Sequence, residues 1–153
     1  MKNKYTIFIV GILIPVGLMV LLYFADDKNK PNDSDLIKNE QSEIISKNGL
    51  HWHSQLAIYV KGDKVEIPPN VGLGAVHNPV HTHIEDAEQG VLHLEFNGIV
   101  RANDTMLGEF FKAWNKDMDF FGSNMVMKVN GVENTEFGNY LMKDGDEIEL
   151  NYK

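Results

Sequence analysis

The sequence predicts an α+β domain, with one helix packed on a mixed β-sheet, preceded by one N-terminal transmembrane helix. Three observations carry this. Apolar and polar residues alternate along 52–60, 91–96 and 147–152, the period of half-buried strands. Leu107, Phe110, Phe111 and Trp114 recur at i, i+3, i+4 and i+7, one apolar stripe of a helix. Residues 5–25 form an unbroken uncharged run.

Taken in chain order, the uncharged run comes first. At about 1.5 Å per residue it spans roughly 31 Å as a helix, the thickness of a bilayer core. Pro15 and Gly17 would weaken a soluble helix, but membrane helices tolerate them. A cleaved signal peptide is the competing reading. The run is long for one, and Tyr23-Phe24-Ala25 lacks the small-x-small pattern of a cleavage site. We therefore read 1–25 as an uncleaved anchor. The short basic head, Lys2 and Lys4, favours an N-terminus inside and a domain outside the cytoplasm.

Residues 26–48 are polar, rich in Asn and Asp, and read as a linker. Leu36/Ile37 and Ile44/Ile45 could mark two turns of amphipathic helix within it. The folded domain is expected over 49–153. Trp52, Leu56, Ile58 and Val60 share one strand face, with His51, His53, Gln55 and Tyr59 on the other. Lys61-Gly62-Asp63-Lys64 reads as a turn into a short strand from Val65 to Ile67, ended by Pro68-Pro69. Residues 70–90 read as a long loop, and loops of that length are usually functional or disordered. Val91–Phe96 is the next strand. A helix is expected from about Thr105 to Asn115, capped by Asp104 or Thr105. Strands at Met125–Val129 and Glu147–Tyr152 follow, with turns at Asn130-Gly131 and Asp144-Gly145.

The stretch from Val126 to Tyr152, with Val129-Asn130-Gly131 and then Asp144-Gly145-Asp146-Glu147-Ile148, resembles the ends of ubiquitin-like β-grasp domains. The resemblance is best over 105–153 and implies a β-grasp-like sheet. The histidine-bearing half, 51–93, is similar to uncharacterised membrane-anchored or secreted prokaryotic domains with H-x-H and H-T-H segments. That likeness implies extracytoplasmic placement and no established activity.

The chain carries 14 Lys+Arg against 22 Asp+Glu, a formal net charge of −8. With no basic patch, nucleic-acid binding is not expected. The chain has no cysteine, which excludes disulfides, thiolate ligands and a lipid-modified cysteine anchor. Any metal must be held by nitrogen and oxygen.

All six histidines fall between His51 and His93. Imidazole is the commonest protein ligand for zinc and copper. His51/His53 and His81/His83 are i, i+2 pairs, which an extended strand presents on one face. A core histidine should sit on the apolar face of its strand. Here His51, His53 and His93 sit opposite it, so the bland reading of each is an exposed residue. Together, His51, His53, His81, His83 and His93 make a metal site the first reading, for Cu(II) or Zn(II). Glu95 could ligate or accept from an imidazole N–H. His77 lies outside the pattern, and Glu85, Asp86 and Glu88 read as solvated. The methionines are scattered, mostly at apolar positions, which argues against a Cu(I) carrier.

Other chemistries fit less well. A cupin-like arrangement of His81, His83, Glu88 and His93 lacks the barrel strands that should separate its two segments. His51, His53 and His93 could hold zinc-bound water as in carbonic anhydrases, but no proton relay is visible. Ser54 lacks a nucleophile elbow. No Gly-rich loop precedes a helix.

The sequence thus suggests metal capture or delivery, with a membrane protein as a possible recipient. Affinity should fall below about pH 6 as the imidazoles protonate. Two alternatives stand: a metal-dependent enzyme activating water or oxygen, and a metal-free interaction module using the sheet as a platform.

Overall fold

The computed structural model describes residues 42–153. The expected transmembrane helix at 5–25 and most of the expected linker lie outside the described residues. Among the described residues, no helix is long and apolar enough to cross a membrane.

Nine strands and one α-helix are present in this part of the chain. In order they are β1 (Ile44–Ser46), β2 (Leu50–Val60), β3 (Asp63–Val65), β4 (Val80–His81), β5 (Val91–Phe96), β6 (Val100–Arg101), α1 (Leu107–Ala113), β7 (Met125–Val129), β8 (Val132–Asn134) and β9 (Glu147–Tyr152). The main sheet runs β4-β5-β2-β9-β7-β8, with β3 paired to the end of β2. β2 lies antiparallel to β5 and parallel to β9, so the sheet is mixed. β1 and β6 form a separate two-stranded ribbon. The domain is therefore α+β, one helix with a mixed sheet.

Period-2 patterning explains the core. Trp52 pairs with Leu94, Ser54 with Leu92, Leu56 with Ile148 and Ile58 with Leu150. Met127 pairs with Leu150 and Val129 with Ile148. These residues share one face, and α1 brings its stripe to it: Leu107, Phe110 and Phe111 are fully buried in the same cluster. Each such side chain contributes roughly 1.5–3 kcal/mol on burial.

Several boundaries differ from the sequence expectation, for local reasons. The second strand is Asp63–Val65 rather than Val65–Ile67, because Lys61 and Gly62 alone make the turn, both at positive φ. The helix is shorter than Thr105–Asn115. Ala102–Thr105 form a 3-10 turn, and Asp104 caps that turn by accepting from the Arg101 N–H at 2.7 Å. Met106 is then extended and bridges to Leu141, so the α-helix starts only at Leu107, without a side-chain cap. Asn115 ends it in the left-handed conformation, at φ 56°. Ile44 and Ile45 are not helical. They lie in β1 and are exposed.

The expected 70–90 loop is interrupted by β4 and by a 3-10 turn at Ala87–Gln89, and hydrogen bonds order the rest. Thr82, completely buried, is its clamp. Its hydroxyl donates to the Pro68 carbonyl and accepts from the Val71 N–H, while its backbone bonds Val71 and Asn70. At the far end the segment returns through Gly90, at φ 81°. A Cβ there would lie 2.1 Å from the Leu56 carbonyl oxygen, so only glycine allows this approach.

Candidate metal centre

The polar face of the sheet opposite the core carries the histidines. Strand register sets them in a row: His53 on β2 pairs with His93 on β5, and His93 pairs with His81 on β4. His51 pairs with Glu95. Paired residues project to the same side, so three neighbouring strands deliver five side chains to one patch. His83, just past β4, joins them from the loop.

This face is not uniformly exposed. His81 is 0 % and His93 8 % exposed. The expectation that strand histidines off the apolar face would be exposed holds for His51 and His53 but not for His93, and His81, expected in a loop, is buried in β4. Asp86 closes on the His93 ring, and the rings of His77, His83 and His93 pack against His81. Sequence periodicity reports which face a residue occupies, but not whether a loop covers that face.

Two donor groups result. His81, His83, His93 and Glu95 each offer a ligand atom within 4.8 Å of one another, and so do His51, His53 and His93. Either set is geometrically able to hold a metal ion. His93 belongs to both.

Hydrogen bonds fix the tautomers in the first group. His81 Nδ1 lies 3.1 Å from the Asn78 carbonyl oxygen. A carbonyl only accepts, so Nδ1 carries the proton and Nε2 keeps its lone pair. His93 Nε2 lies 2.8 Å from Asp86 Oδ2. Its proton is therefore on Nε2, and its lone pair is on Nδ1. That Nδ1 is buried and has no hydrogen-bond partner. It faces Glu95 Oε1 at 3.8 Å, while His81 Nε2 and His83 Nε2 stand 3.0 Å apart. Two nitrogens bound to one tetrahedral zinc at about 2.05 Å would stand roughly 3.3 Å apart. The spacing therefore suits a common ion after small movements. With the His81 Nε2 lone pair as acceptor, the His83 Nε2–H donates to His81. Ligation by both requires that proton on His83 Nδ1.

Burial lowers the His81 pKa below the ordinary 6.5, with the charges of His83 and His77 acting the same way. Glu95 and the Asn78 bond oppose the shift. The net direction keeps His81 neutral, the form a metal needs.

Asp86 was expected to be solvated. Instead it orients His93, the carboxylate–histidine arrangement found behind metal ligands. Nothing in its spacing signals this, because the 3-10 turn at Ala87–Gln89 is what brings it back over β5. Glu95, a member of the first group, faces His93 Nδ1 at 3.8 Å and also reaches His51 Nε2 of the second at 3.3 Å. His77 belongs to neither. Its exposed ring packs edge-on against His81, with centroids 4.6 Å apart. Ser54 is buried and donates to the Lys143 carbonyl, a structural tie.

The chain matches no known protein family, no characterised protein and no solved structure.

Proposed function

We propose that this chain binds one divalent transition-metal ion, Cu(II) or Zn(II), through His81, His83, His93 and Glu95. The domain would sit outside the cytoplasm, anchored by residues 5–25, and capture the ion or pass it to a membrane-protein partner.

One observation carries the metal reading: the buried, partnerless lone pair of His93 Nδ1, held toward Glu95 by the Asp86 bond on the opposite ring nitrogen. A buried polar atom without a partner costs about 1–3 kcal/mol. A cation at this point removes that cost and uses the lone pairs of His81 and His83 as well. Three imidazoles and a carboxylate suit Zn(II) and Cu(II), and the absence of cysteine argues against softer ions. Four protein donors favour holding an ion over catalysis, which needs an open position.

The uncharged run at 5–25 supports the anchor, and the basic head supports the orientation. A β-grasp-like fold is supported by the central parallel pairing of β2 with β9 and by the helix lying between β5 and β7 in the chain.

The test is elemental analysis of the full chain, extracted in detergent and purified without chelators. Near-stoichiometric copper or zinc is expected, and it should be lost when His81→Ala and His83→Ala are combined. A folded wild-type chain that carries neither ion, and takes up neither when offered, would sink the reading.

A further inference from the structure

The outer histidines, His51 and His53, do not belong to the buried donor set, yet they touch it. Their rings lie 4.9 Å apart, and the His53 ring lies 4.7 Å from that of His93. Both are exposed, whereas His81 and His93 are covered. An ion arriving from solvent, or from a donor protein, meets the outer pair first.

Two features make the groups successive rather than independent. His93 is common to both, but Asp86 holds its Nε2, so it has one free lone pair to give. It can serve an ion in one group or the other, not both. Glu95 Oε1 stands 3.3 Å from His51 Nε2 and 3.8 Å from His93 Nδ1. The carboxylate can therefore stay on an ion while its imidazole partners change. A cleft of about 740 Å³ opens beside Glu95, His51 and His77, giving solvent access on that side.

Resting on the metal reading above, we infer that His51 and His53 form an entry and exit station for the metal, with Glu95 as the ligand shared during transfer. One ion moves between two positions. The outer one is exposed and exchanges quickly. The inner one is covered and holds. Exchange of ligands one at a time never leaves the ion bare, which is what makes such a path faster than direct release from the covered site.

The test uses the full chain in detergent and Zn(II) alone. Stoichiometry and affinity are measured by competition with a chromophoric chelator. Loading and chelator-driven release are followed by stopped flow, in wild type and in the His51→Ala/His53→Ala double variant. The expected wild type binds one ion per chain. The variant should keep that stoichiometry, with affinity within about threefold, while loading and release both slow by about tenfold or more. Unchanged rates would make the outer pair a bystander and overturn the inference. So would two tightly held ions per wild-type chain, which would mean independent sites. Loss of the bound ion in the variant would place His51 and His53 in the holding set, again overturning it while leaving metal binding intact. A wild type that binds no Zn(II) and no Cu(II) would overturn both readings. Circular dichroism of the variant separates misfolding from ligand loss, and the milder His51→Gln/His53→Gln pair serves if the alanine pair unfolds.

Discussion

His81 and His51 occupy the same face of one sheet, but their surroundings differ. In the inner group His81 and His93 are buried, and each has one ring nitrogen tied to an acceptor, Asn78 or Asp86. The outer pair stands on open strand, with the His51 side chain 63 % exposed, Glu95 facing its ring, and Asp144 accepting only from the His53 backbone N–H. The difference shows what makes histidine a ligand. Strand parity delivers the ring to a face. A committed lone pair requires a partner on the opposite nitrogen, and that partner comes from a folded loop.

The largest effect should come from His93→Ala, which removes the residue common to both groups. Affinity for Zn(II) should fall by about 100-fold or more, close to 3 kcal/mol, in a chelator competition. A loss of less than about threefold would show that the two groups are not joined at His93.

Asp86→Ala should come next. It removes no ligand atom from the inner group, only the acceptor that sets the His93 tautomer. A loss of about 10- to 100-fold is expected, the usual scale for an outer acceptor. Asp86→Asn should recover part of it, because an amide oxygen still accepts from Nε2–H. If Asp86→Ala binds like wild type, the orientation of His93 rests on β5 alone, and the contrast between covered and open histidines loses its cause.

These two variants also mark where sequence reasoning reached and where it stopped. The alternation of Trp52 to Val60 and Val91 to Phe96 was enough to place both strands and the faces of His51, His53 and His93, because side-chain period is a local property. The stripe of Leu107, Phe110 and Phe111 likewise gave the helix. Its ends were not legible. The early stop depends on Asn115 entering the left-handed region, and the late start on Met106 bridging to Leu141, a partner far away in sequence. The role of Asp86 is illegible in the sequence for the same reason. Its role depends on a 3-10 turn and a return through Gly90 against Leu56, contacts that no spacing rule encodes. Thr82, between two histidines, carries no signal in the sequence, yet its hydroxyl ties the chain beside them to Pro68 and Val71.

The smallest effect, and the sharpest check on the boundary of the inner group, should come from His77→Ala. His77 is a histidine within reach of the cluster, so composition alone would count it as a ligand. The geometry does not. Its ring stacks edge-on against His81 but offers no nitrogen to either donor group, and its backbone bridges only to Leu73. Its influence on His81 is through charge, which helps to lower the His81 pKa. Removing it should therefore shift Zn(II) affinity by no more than about threefold, about 0.7 kcal/mol, in the same competition. Loss on the scale of His93→Ala would mean that residues 72–80 rearrange on binding to bring His77 to the ion. The covered group would then be assembled by the metal rather than waiting for it.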